Sequence, residues 1–194
     1  MANVIFAIDR FGVLNAFSRE AGAPAVWSGP QTTGCACLVP GSPITVFQQN
    51  ASLYTALMID RDGVLNAAAL DLTAGWQGLT TIGCAAFAPG SPITVFQPSP
   101  MRFTALIIDR EGVLNAASLD VTTGWKGPDT IGNASFAPGS VIRVFQQSPT
   151  VNTAVMVDRD GMISVASLDT TTGWQGPYLI GNASFIPGSP VAVM

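Results

Sequence analysis

The chain has 194 residues, of which 48% are apolar and 10% charged, and it carries a net charge of −4. This composition excludes a disordered chain, and the length suffices for one sizeable core. The acidic balance offers no basic field for nucleic acid, and no apolar run reaches the roughly 18 residues that cross a bilayer. Histidine is absent, which removes the commonest general base, the commonest zinc ligand and every Ser-His or Cys-His nucleophile pair. The three cysteines, Cys35, Cys37 and Cys84, make neither a CxxC pair nor an even disulfide framework, and they read as small buried residues.

In chain order, NVIFAI at 3–8 reads as a strand and Asp9-Arg10-Phe11-Gly12 as the tight turn after it. The stretch at 1–9 has no basic region and meets an aspartate after a short apolar run, so it is not a secretory signal. A cytoplasmic or non-classically secreted protein is expected. The turn then returns as Asp60-Arg61-Asp62-Gly63, Asp109-Arg110-Glu111-Gly112 and Asp158-Arg159-Asp160-Gly161. Trp27, Trp76, Trp125 and Trp174 recur with a 49-residue period, as do the Pro-Gly-Ser phrases at Pro40, Pro89, Pro138 and Pro187. Two extra residues lie in the first repeat, within SREAGAPAVW at 18–27. Four repeats, approximately 1–43, 44–92, 93–141 and 142–194, fill the chain as one domain.

Each repeat reads as four short strands. SPITVFQ is the first, TALMID the second, and DRDG the hairpin turn into the third, VLNAASLD. A TTTGW loop leads to the fourth, GPYLIGNASF, and PGSP starts the next unit. The second and third strands are apolar on both faces, so both faces are covered. That pattern, at this period, predicts an all-β fold: a small β-propeller of four blades, each of four antiparallel strands. A solenoid would need polar end caps, and the end repeats resemble the inner ones. The chain starts in a second strand and ends in a first strand, SPVAVM. Residues 189–194 are therefore expected to complete the first blade and close the ring. An eight-bladed ring of two chains is the alternative and needs the ends to swap.

The order Asp-Arg-x-Gly, Gly-Trp-x-Gly, Phe-x-Pro-Gly-Ser-Pro resembles the repeat of the PLL-like β-propeller lectins of bacteria and their fungal relatives. The resemblance runs over all four repeats. It implies a non-catalytic, multivalent carbohydrate-binding protein without cofactor or metal, with glycans or glycoproteins as partners, as a monomer or small homo-oligomer. Two departures stand out. That family commonly carries aromatic residues near the end of the third strand, where this chain has Ala69-Leu70, Ser118-Leu119 and Ser167-Leu168. It also tends to have more blades. A scaffold that presents a propeller face to another protein is the rival reading. A single catalytic site would need asymmetry among the repeats; only the first is odd, with Phe11, Arg19, Glu20 and the insertion.

The candidate ligand residues are Asp60 with Arg61, Asp109 with Arg110, and Asp158 with Arg159. A turn needs Asp and Gly, but not Arg, and half of the eight Lys and Arg residues sit in this phrase. A fork of donors beside an acceptor suits sugar hydroxyls. The alternatives are an Arg that pairs with an Asp in its own or the next blade, or only a turn. A calcium loop falls short of the 6–8 oxygens that ion takes. Trp76, Trp125 and Trp174 are either seam packing or stacking platforms for a sugar ring. Asp71, Asp120 and Asp169, with Glu20 in register, lie near them on the opposite face. Cys35 and Cys84 align with Asn133 and Asn182, which marks a small enclosed place rather than a metal site. Asn50, Asn133 and Asn182 begin glycosylation sequons, expected to stay unmodified without a signal segment.

Overall fold

Runs of β-branched and aliphatic residues between Asp-Gly turns become strands throughout the computed structural model, which describes residues 3–19, 27–33, 37–83, 87–133, 136–182 and 184–193. The first sheet holds β1 (Asn3–Ile8), β2 (Leu14–Arg19) and β3 (Ser28–Thr32). The second holds β4 (Thr45–Gln48), β5 (Leu53–Ile59), β6 (Leu65–Asp71) and β7 (Gly75–Ile82). The third holds β8 (Thr94–Ser99), β9 (Arg102–Ile108), β10 (Leu114–Asp120) and β11 (Gly124–Ile131). The fourth holds β12 (Arg143–Ser148), β13 (Val151–Val157), β14 (Ile163–Asp169) and β15 (Gly173–Ile180). Each sheet is an antiparallel meander in chain order. A register shift recurs between the third and fourth strands, at Ala16/Ser18, Ala116/Ser118 and Val165/Ser167 and, one residue later in its repeat, at Ala68/Leu70. The expected strand order within the repeats is thus observed.

The core lies between the sheets. Alternate residues of a strand face opposite sides. In β5, Ala56 and Met58 join Leu14 and Leu38 of the first blade, while Leu57 and Ile59 join Ala105 and Ile107 of the third. The next seam repeats this: Leu106, Leu114, Ile131 and Phe136 meet Ala154, Met156 and Ala166. Each blade so offers large side chains to its successor and mostly small ones to its predecessor. Threonine hydroxyls add hydrogen bonds across the same seams, from Thr45 Oγ1 to the Ile93 carbonyl at 2.8 Å and from Thr94 Oγ1 to the Ile142 carbonyl at 2.9 Å.

Among the described residues the expected terminal seal is not seen. The first sheet has three strands with β1 at its edge, and residues 184–193 contain no strand. Ile5 at one end of the array and Ile180, Phe185 and Ile186 at the other are exposed. Among the described residues, the core clusters join consecutive blades.

Candidate functional site

The repeated turn is built by its aspartate. In the second blade Asp60 Oδ1 accepts the N–H groups of Asp62 at 3.0 Å and Val64 at 2.8 Å. Its Oδ2 accepts from Asn66 Nδ2 at 2.9 Å, which also donates to the Val64 carbonyl. Asp109 is held by Val113 and Asn115, and Asp158 by Asp160 and Met162, in the same way. These carboxylates face their own turns, and Asp109 and Asp158 are buried. The asparagine six residues after the aspartate is the partner that sequence reasoning missed. Its signal was present in Asn15, Asn66 and Asn115, each at the same offset.

The arginines leave the turn and cross the seam. Arg61 Nε donates to the Leu38 carbonyl at 3.1 Å, Arg110 Nη2 to the Asp62 carbonyl at 3.4 Å, and Arg159 Nη2 to the Glu111 carbonyl at 2.9 Å. Each thus reaches back to the preceding blade, and what it meets is a backbone carbonyl. The side chains are exposed, and a guanidinium has five N–H donors. Asp62 and Glu111, also exposed, stand on the same turns as the accepting carbonyls. Donors and acceptors therefore alternate along one rim of the array. Arg10, in the first blade, lies over its own Phe11 ring at 4.6 Å.

The tryptophans sit at the other end of the strands. Trp76 pairs with Leu70 while the turn-proximal Leu65 pairs with Ile82, about five residues or ~17 Å away. The structure therefore does not bring the Arg and Trp groups together. Trp76 stands edge-on to Phe6 at 5.8 Å, Trp125 to Phe47 at 6.3 Å and Trp174 to Phe96 at 6.4 Å, each across a seam. All three are half-buried, and Trp76 Nε1 is buried without an acceptor. The loops of the third and fourth blades leave an open cavity of about 390 Å³, lined by Gln97, Ser99, Pro100, Gln146 and Pro149 among others. Sequence reasoning missed it, although its signal, Gln-x-Ser-Pro at 97–100 and 146–149, repeats with the same period. Cys35, Cys84 and Glu20 lie outside the described residues.

Asp71, Asp120 and Asp169 close the loops at this end. Asp71 Oδ1 accepts the Thr73 hydroxyl at 2.7 Å and the Thr73 N–H at 2.8 Å. The threonine hydroxyls, then the backbone N–H groups, hold all three carboxyls below the ordinary value of 3.8. Asp9 is lowered too, chiefly by the Val13 N–H. A carboxyl lowered in the folded state adds stability above its unfolded pKa and loses it as pH falls through the folded one. With no histidine, the melting temperature is expected to stay flat from about pH 5 to 8 and to fall only below about 3.8. A scan of thermal unfolding against pH checks this; a slope near neutrality would contradict it.

No family model matches the sequence, and no curated protein does. Solved structures do. The array superposes on the BP39L lectin from Burkholderia pseudomallei with a TM-score of 0.83 at 25% identity, covering 97% of this chain and 54% of that one. AofleA from Arthrobotrys oligospora gives 0.62 at 16% identity, covering 95% and 55%. The fucose-specific lectin from Aleuria aurantia, described as a six-bladed β-propeller, gives 0.57 at 14%, covering 99% and 59%. The fold is that of a lectin-type β-propeller array, as the repeat resemblance implied. The chain spans little more than half the length of these lectins.

Proposed function

We propose that the chain is a non-catalytic carbohydrate-binding protein that recognises glycans through repeated sites at the seams between blades. The observation that carries this reading is the match of nearly the whole array to the BP39L lectin. The rim chemistry agrees with it. A guanidinium fixed by one N–H on a carbonyl keeps further N–H groups for two neighbouring sugar hydroxyls, and the exposed Asp62 and Glu111 add acceptors beside it. Arg61, Arg110 and Arg159 are the contact residues in this proposal, and Asp60, Asp109 and Asp158 position the turns that present them. Trp76, Trp125 and Trp174 belong to a second surface at the far end of the blades. Structurally similar lectins were solved with α-methyl fucoside and with Fucα1-6GlcNAc, so fucosides are the first ligands to try. Weak contacts repeated on one rigid array gain avidity.

The test is a glycan array followed by titration with α-methyl fucoside. Silence across the array would favour the scaffold reading. Arg110 is the cleanest residue to change, because its tie to the Asp62 carbonyl is the longest of the three. A charge-assisted hydrogen bond is worth about 1.5–3 kcal/mol. Arg110→Ala is therefore expected to weaken its site by about ten- to a hundredfold. It should barely move the melting temperature. Lower stability with unchanged affinity would make the arginine a seam tie alone.

A further inference from the structure

The seam between the third and fourth blades departs from the repeat in two places, and each departure leaves a buried polar atom without a partner. In the second blade Thr55 Oγ1 accepts from Gln49 Nε2, and in the fourth Thr153 Oγ1 donates to Gln147 Oε1 at 2.9 Å. The third blade has Pro98 where those glutamines stand, and its Thr104 Oγ1 is buried with no partner. Tyr54 and Phe103 hold one repeat position in the second and third blades, and the Phe103 ring packs on Phe47 at 4.6 Å. The fourth blade has Asn152 there, and its Nδ2 is buried with no acceptor. Both groups face the same seam. Thr104 stands two residues before Leu106 and Asn152 two before Ala154, and Leu106 and Ala154 belong to one core cluster. Buried polar groups without partners are rare in folded proteins, and they mark places where a ligand or a water completes the bonding.

The open cavity of about 390 Å³ lies between the same two blades. Gln146, which lines it, is the cross-strand partner of Asn152, and such partners share a face of the sheet. Pro98 lines it as well. Gln97 Nε2 donates to the Pro100 carbonyl at 3.1 Å and Gln146 Nε2 to the Pro149 carbonyl at 3.4 Å, which leaves both Oε1 atoms as acceptors. The lining residues are glutamines, prolines and a serine, so the cavity suits an uncharged ligand. From these observations we propose that the cavity binds the acetamido group of an N-acetylated sugar, at a site separate from the arginine rim. The acetamido carbonyl accepts from Asn152 Nδ2, and its N–H donates to Thr104 Oγ1. Its methyl takes the place that the Phe103 ring fills at the preceding seam. Hydroxyls of the sugar ring reach the Gln97 and Gln146 Oε1 atoms and the Ser99 hydroxyl at the mouth. An acetylated lysine would bring an apolar stem to that polar mouth, which favours the sugar. The seam of the second and third blades, with Gln49 and Phe103 in place, lacks both orphaned atoms.

The test is titration with the methyl glycosides of N-acetylglucosamine and N-acetylgalactosamine, against those of glucose and galactose. Ligand-observed NMR gives the affinity, and the Asn152 side-chain amide signal gives the place. A saturable shift of that signal is expected with an acetamido sugar, and binding at least about tenfold weaker with its plain counterpart, which lacks the acetamido carbonyl and N–H. Asn152→Phe and Pro98→Gln each restore the residue of a sister repeat. Both should abolish or sharply weaken binding while keeping or raising the melting temperature, because each removes or pairs an orphaned atom. Gln146→Ala changes an exposed residue, so it should keep the fold and still weaken binding. Arg110→Ala should leave this site unchanged, so failure of the rim reading and failure of this site are read apart. No shift at Asn152 with either acetamido sugar would mean that the orphaned atoms hold water alone, and would overturn the site. Equal affinity for plain and acetamido sugars, binding that survives Asn152→Phe, or tighter binding of acetyl-lysine would overturn it too.

Discussion

Gly112→Ala is expected to destabilise the fold well beyond the same change at Gly124. The two glycines share nearly the same backbone, with φ of +88° and +89°. That strain alone costs a non-glycine residue about 1–3 kcal/mol. What differs is the space. At Gly124 a Cβ meets nothing within 4 Å, whereas at Gly112 it would lie 2.1 Å from the Phe136 carbonyl oxygen and 2.8 Å from Arg159 Nη2. The Phe136 N–H donates to the Gly112 carbonyl at 2.7 Å, so the turn and the strand connection beside it cannot part without losing that bond. The arginine from the next blade must move as well. Gly124→Ala should therefore lose about 1–3 kcal/mol. Gly112→Ala should exceed about 4 kcal/mol, the range reserved for steric or buried-polar failures. Urea unfolding of both variants measures the difference. Equal losses would show that the turn yields cheaply and that the close approach is not a constraint.

The repeats and strand order were legible because their signals are local. An Asp-x-x-Gly turn with apolar alternation on either side needs only neighbours in sequence. The partner of the arginine was not legible, because the expectation looked for a carboxylate and the acceptors are carbonyls, which every residue has. The role of Trp76, Trp125 and Trp174 in the seams rests on Phe6, Phe47 and Phe96 of the preceding blades, a pairing visible only once blades are stacked. Ring closure was the least legible feature. The termini have the pattern of a seal, but the rotation per seam depends on how Leu, Ile and Phe fit against Ala and Met between sheets. No single repeat encodes that angle.

Phe136→Ala and Phe185→Ala change equivalent places in successive repeats, and their expected losses differ as their burial does. Phe136 is fully buried in the seam cluster with Leu106, Ile131 and Met156. Its truncation should cost about 3–5 kcal/mol, the transfer of a ring plus the cavity left behind. That cost is carried within one chain, so it should not change with protein concentration. Phe185 is far more exposed in the single chain. Its truncation should cost less, about 1.5 kcal/mol, because only part of the ring leaves water on folding. Denaturant unfolding of both variants measures the two losses. A loss at Phe185 as large as that at Phe136 would mean that the outer face of the fourth blade is already covered. The first and fourth blades would then meet, and the ring would close after four.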